Sequence, residues 1–138
     1  MIFVADTNTL ISAILKPTGV CMIALTTCYE KGLLLFSKET KLELHSVIAR
    51  EKFNRYVDLP TRIERMHGIL SHSKIIEIKN SEKIECRDSS DTKFLSLAIE
   101  SNANCIISGD IHLKELHPFR GIAILNPTDF LHWIKLEK

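Results

Sequence analysis

The sequence predicts an α/β protein, a three-layer α/β/α sandwich around a mostly parallel five-stranded sheet. Three observations carry that expectation. Short apolar runs fit for buried strands recur at 2–5, 33–36, 75–78, 105–108 and 122–125. Segments with helical apolar spacing lie between them. Strands separated by helices pair in parallel through right-handed crossovers, which puts helices on both faces of the sheet. The length of 138 residues suits a single domain, expected to span 1–138, and there is no repeat, low-complexity tract or long linker.

The run at 2–5 is short and β-branched, as a buried strand should be. A helix is expected from Thr9 to Leu15, interrupted by Pro17 and Gly19. Another follows from Val20 to Lys31, with Met22, Ile23, Ala24 and Leu25 among its apolar positions and Gly32 closing it. After the strand at 33–36, Ser37 is a favourable N-cap for a helix over 38–50 with Leu42 and Val47, and His45 as a further candidate, near its buried face. Pro60 fits the first turn of a helix running to about His72 through Ile63, Met66, Ile69 and Leu70. The third strand is expected at 75–78. The stretch 79–90 is polar and aperiodic, hence a loop. Phe94, Leu95, Ala98 and Ile99 form the apolar stripe of a helix over 91–100. A strand at 105–108, a short helix at 111–116 and a strand at 122–125 come next. A last helix starts in Asn126-Pro127-Thr128-Asp129, with Thr128 as its cap, and runs through Trp133.

Composition excludes several classes. At 45% hydrophobic, 25% charged and net charge +1, the chain is that of an ordinary globular protein, and any basic surface must be local. The first residues lack a basic region and their apolar run stops at five, so no signal peptide is expected. No apolar stretch approaches the ~20 residues that cross a bilayer. The expected compartment is the cytoplasm, with no membrane partner. Cys21, Cys28, Cys86 and Cys105 form no Cys-x-x-Cys pair and are expected to be reduced, mostly core thiols. The histidines offer no paired zinc motif.

The chemistry lies in the acids. Asp6 ends the first strand, and Asp110 follows the fourth after Ser108-Gly109. Residues just past the carboxyl ends of parallel strands line the ligand crevice. Glu43 falls inside the helix after the second strand, and Asp91 opens the helix before the fourth. Carboxylates gathered in one crevice repel one another unless a cation neutralises them. Hard oxygen ligands suit Mg²⁺ or Mn²⁺, so Asp6, Glu43, Asp91 and Asp110 are the candidate metal ligands and catalytic residues. Asp88 flanks the same turn as Asp91 and competes with it, as Glu39 competes with Glu43. Each has a plainer reading: Asp6 could only cap the next helix, and Asp91 could only complement a helix dipole.

Other α/β chemistries fit less well. Neither Gly-x-x-x-x-Gly-Lys-Ser/Thr nor Gly-x-Gly-x-x-Gly occurs, which argues against P-loop and dinucleotide sites. Asp6-Thr7-Asn8-Thr9 resembles the aspartyl-phosphate motif of haloacid-dehalogenase-like phosphatases, yet Asn8 stands where that motif needs a general acid. A receiver-like phospho-acceptor would need paired acids after the first strand and a lysine after the fifth, and both are missing.

The chain resembles PIN-domain ribonucleases, in particular the VapC-like toxin components of toxin–antitoxin systems. Over essentially the full length, the match rests on Val4-Ala5-Asp6-Thr7-Asn8, the stretch from Glu39 to Val47, Arg87-Asp88-Ser89-Ser90-Asp91 with Phe94, Leu95 and Ala98, and Ile107-Ser108-Gly109-Asp110. The resemblance implies strand order 3-2-1-4-5, which sets Asp6 and Asp110 on neighbouring strands ~4.8 Å apart. It implies hydrolysis of an RNA phosphodiester by a water that one or two Mg²⁺ or Mn²⁺ activate. Asn8, Ser108 and Asp88 take supporting roles; the first two orient a carboxylate or a metal-bound water. The expected partners are an RNA substrate, a cognate antitoxin and a second copy in a homodimer. The alternative is a non-catalytic RNA-binding or regulatory module of the same fold, against which stands the cost of keeping four acids without a use.

A local basic cluster supplies a candidate RNA contact. Arg50, Lys52, Arg55, Arg62 and Arg65 lie within sixteen residues, interrupted by Phe53 and Tyr56. Arginine suits phosphate, and aromatic rings can stack on unpaired bases. A solvated helix face, balanced by Glu51, Asp58 and Glu64, would look the same in sequence.

Overall fold

Strands apolar on both faces and helices apolar along one stripe can bury those faces at once only by layering. A computed structural model, which describes residues 1–79 and 89–137, has that arrangement. The order along the chain is β1 (Ile2–Ala5), α1 (Thr7–Leu15), α2 (Val20–Lys31), β2 (Leu33–Phe36), α3 (Lys38–Ile48), α4 (Leu59–Ser71) and β3 (Lys74–Ile75). Then come α5 (Thr92–Ser101), β4 (Cys105–Ile107), α6 (Ile111–Lys114), β5 (Ala123–Leu125) and α7 (Pro127–Leu136). Single 3₁₀ turns at Glu51–Phe53 and Ser89–Asp91 precede α4 and α5.

The sheet is parallel throughout, in the order β3-β2-β1-β4-β5. Alternation along the strands divides the core. Phe3, Ala5, Leu34, Phe36, Cys105 and Ile107 face one layer, where α1, α2, α3, α4 and α7 pack. Val4, Leu35, Ile106 and Ile124 face the other, against Phe94, Leu95 and Leu97 of α5 and Leu113 of α6. Gly32 is required where β2 starts, because a Cβ there would lie 1.9 Å from the Met1 carbonyl oxygen. Of the cysteines, Cys28 and Cys105 are buried, Cys21 is half-buried and all three are free. Burial raises the thiol of Cys105 to about 12, as expected of core thiols. Cys86 lies outside the described residues. Among the described residues, no single helix is long and apolar enough to cross a membrane.

Several boundaries differ from expectation for local reasons. The first helix begins at Thr7, two residues early, because Asp6 caps it: Oδ1 accepts from the Thr9 amide at 2.9 Å. The last helix is capped by Asn126, which accepts from the Asp129 amide at 2.7 Å, with Pro127 in its first turn; Thr128 is already helical. The third strand is shorter and earlier than 75–78, since β2 beside it ends at Phe36, whose carbonyl takes the Ile76 amide as a last rung. In α3 the buried stripe is Thr40, Leu44 and Ile48, spaced four apart, and Leu42 is 57% exposed instead of buried. The loop expected over 79–90 falls largely on residues outside those described.

Candidate active site

Strand order reverses direction beside β1, which leaves a crevice beyond the carboxyl ends of β1 and β4. Ala5 pairs with Ile107, so the next residues, Asp6 and Ser108, emerge side by side. The Asp6 amide bonds to the Ile107 carbonyl at 3.1 Å and fixes that exit. Asp6 is buried, and both its oxygens are held: Oδ1 by the Thr9 amide, Oδ2 by the Ser108 hydroxyl at 2.5 Å. Burial raises the Asp6 pKa above the usual carboxylate value, the hydrogen bonds from Ser108 and Thr9 pull it back in part, and the charge of Asp110 adds to the rise.

Asp110 caps the short α6, its Oδ1 accepting from the His112 amide at 2.8 Å, while its own amide donates to Ser108 Oγ at 3.0 Å. Ser108 therefore ties both acids together. Glu43 reaches in from α3, whose rotation is set by buried Leu44 and Ile48 and whose start is set by a Ser37–Thr40 capping box. Its Oε1 accepts from the Thr7 hydroxyl, and its Oε2 pairs with Lys93 Nζ at 2.7 Å. Asp91 is buried at the end of the 3₁₀ turn that leads into α5, anchored by Phe94 and Leu95 beneath.

All four candidate ligands line one cavity of about 610 Å³, together with Thr7, Asn8, Ser46, Arg50 and Phe94. Glu39, the competitor of Glu43, is exposed in the first turn of α3 and contributes nothing to that wall. Asp88, the competitor of Asp91, lies outside the described residues. The acids share the cavity without closing on a point: among the described residues, no three His, Cys, Asp or Glu side chains are clustered tightly enough to hold an ion as they stand.

The basic segment divides. Arg50, Lys52 and Arg55 are exposed, Arg50 lines the cavity, and Arg55 lies 5.3 Å from the ring of exposed Tyr56. Arg62 corrects the expectation of an RNA contact. It is 0% exposed, and its guanidinium is spent on the carbonyls of Ile48, Val57 and Arg50 and on Asn54 Oδ1. It is a structural bolt that closes the turn between α3 and α4. Arg65 is half-buried, and its Nη1 donates to the Ile14 carbonyl at 2.8 Å.

Sequence reasoning missed Lys93. A lysine in the first turn of a helix is disfavoured by the dipole unless an acid offsets it. That misplaced charge, two residues after Asp91, was the available signal.

The family model for the PIN domain matches residues 3–112, a span that takes in all four acids. The chain belongs to the PIN domain family. PIN domains are generally nucleases that use divalent metal ions. Over 114 residues this PIN domain is 32% identical to the uncharacterized protein MJ1680 of Methanocaldococcus jannaschii, covering 82% of this chain and 73% of that protein. It is also similar to the crystal structure of VapBC2 from Rickettsia felis bound to a DNA fragment from their promoter. There the TM-score is 0.65 at 17% identity, over 91% of this chain and 98% of the other, a likeness of fold.

Proposed function

We propose that this PIN domain is a metal-dependent endoribonuclease that hydrolyses RNA phosphodiester bonds as the toxin of a toxin–antitoxin pair. The observation that carries the proposal is the shared cavity of Asp6, Glu43, Asp91 and Asp110 at the reversal point of the sheet. The donor set is all oxygen, which suits Mg²⁺ or Mn²⁺. A carboxylate offers about four acceptor positions, so the bonds that hold Asp6, Glu43 and Asp110 leave lone pairs for an ion. These residues with Asp91 would hold one or two ions after modest side-chain movement.

A bound divalent cation would lower the pKa of a water and offset charge developing on the phosphate. The chain's own residues prepare the site for it. Ser108 and the Thr9 amide fix the Asp6 carboxylate from both sides, and Thr7 fixes one oxygen of Glu43. Exposed Asn8 on the cavity wall is suited to orient a carboxylate or an attacking water. Arg50 on the same wall is suited to take a phosphate of the RNA, with Lys52 and Arg55 extending the path.

The antitoxin, a homodimer and a cytoplasmic setting belong to the same reading. The antitoxin in that reading is supported by the VapC-like motifs and by the fold shared with VapBC2. Purified protein should cleave single-stranded RNA with Mg²⁺ or Mn²⁺ and stop in excess EDTA. Binding of RNA with no cleavage under any divalent ion would favour the non-catalytic module instead.

A further inference from the structure

Lys93 lies behind the cavity wall, bonded to residues that line it, and the proposed chemistry does not use it. Its Nζ lies 2.7 Å from Glu43 Oε2, donates to the Ser90 carbonyl at 2.5 Å and sits 5.4 Å from the centroid of the Phe94 ring. Glu43, Ser90 and Phe94 all line the cavity. The Lys93 side chain is only 15% exposed and that of Glu43 27%, so the pair is shielded from full solvent screening. With Thr7 on Oε1 and Lys93 on Oε2, both oxygens of Glu43 are engaged.

We propose that Lys93 is an internal stand-in for the divalent cation: its ammonium neutralises Glu43 in the ion-free protein and must release Oε2 when metal binds. The inference rests on the metal-binding reading of the cavity. Mg²⁺ or Mn²⁺ sits about 2.0–2.2 Å from a carboxylate oxygen, so an ammonium kept on that same oxygen would face the ion at roughly 4 Å. At that distance like charges repel strongly even in a well-screened site. Lysine is suited to the exchange. It is a point charge on a flexible stem, and it can leave Glu43 while its contact with the Ser90 carbonyl retains it at the wall. Lys93 is thus a positioning residue that sets how tightly the site holds metal.

The test is calorimetric titration of Mn²⁺ into metal-free full-length protein. Lys93→Met should bind Mn²⁺ about fivefold to tenfold more tightly than wild type, while Lys93→Arg, which keeps the charge, should stay near wild type. In a Glu43→Gln background the gain from Lys93→Met should vanish. If Lys93→Met does not fold, Lys93→Gln replaces it with the same expectation. Wild type that binds Mn²⁺, with a neutral variant that binds equally or less tightly, overturns the stand-in role. An equal gain in the Glu43→Gln background also overturns it. Wild type that binds no Mn²⁺ instead overturns the metal reading of the cavity itself.

Discussion

The Ser108 hydroxyl donates to Asp6 Oδ2 across 2.5 Å, joining two residues 102 positions apart at the ends of neighbouring strands. Ser108 Oγ in turn accepts from the Asp110 amide, so one buried serine positions two of the four acids. Ser108→Ala should preserve the fold but lower metal affinity or RNA cleavage about 10- to 100-fold, the usual cost of removing a group that orients a ligand. Mn²⁺ titration and cleavage assays check this, and unchanged values in both would remove Ser108 from the site.

Asp6 makes the metal-free protein pH-sensitive. Its folded pKa is raised, so the folded state holds that proton more tightly than the unfolded state does. Below the ordinary value of 3.8 both states are protonated and the stability is fully present. As pH rises from there through the raised folded value, the unfolded chain ionises first and stability is lost. In EDTA, Asp6→Asn should therefore melt higher than wild type at neutral pH, and the two curves should converge below that window. Parallel curves of melting temperature against pH would exclude Asp6 as the source.

How much of this was legible beforehand depends on helical phase. The strand order could be anticipated from the family resemblance, and the gathering of the four acids from the apolar runs that end just before Asp6 and Ser108-Gly109-Asp110, with Glu43 on α3 and Asp91 in the turn that opens α5. Arg62 was misread as surface because its charge outweighed its phase. It stands on one stripe with Met66 and Ile69, four and seven residues on, and those three are the buried positions of α4. Leu42 was misread the opposite way, as its apolar character outweighed the Thr40, Leu44 and Ile48 stripe. The Lys93–Glu43 pair spans two helices, and nothing in the sequence fixes how those helices face each other.

Arg62 should matter for folding, not for RNA. Arg62→Ala leaves the carbonyls of Ile48 and Val57 without its guanidinium and opens a cavity. The expected loss is on the order of 3–5 kcal/mol. Urea unfolding measures it. A loss under ~1 kcal/mol, the value of an exposed charge, would contradict the buried role.

The exposed cations should carry the salt dependence of RNA binding. Replacing Arg50 and Arg55 with Ala should weaken affinity and flatten the slope of log affinity against log salt by about 0.7 per lost phosphate contact. Lys52→Ala should act in the same direction. An unchanged slope in the double variant would mean the RNA runs elsewhere.

The central claim is that four carboxylates in one cavity act together through a divalent ion on RNA. Its most direct test is the cleavage rate of single-stranded RNA in Mn²⁺ by wild type, Asp6→Asn and Asp110→Asn, each shown to be folded by circular dichroism. Wild type should cleave and fall silent in EDTA, and each variant should lose at least about 100-fold. Folded variants that cleave at the wild-type rate, or wild type undiminished by EDTA, would contradict it.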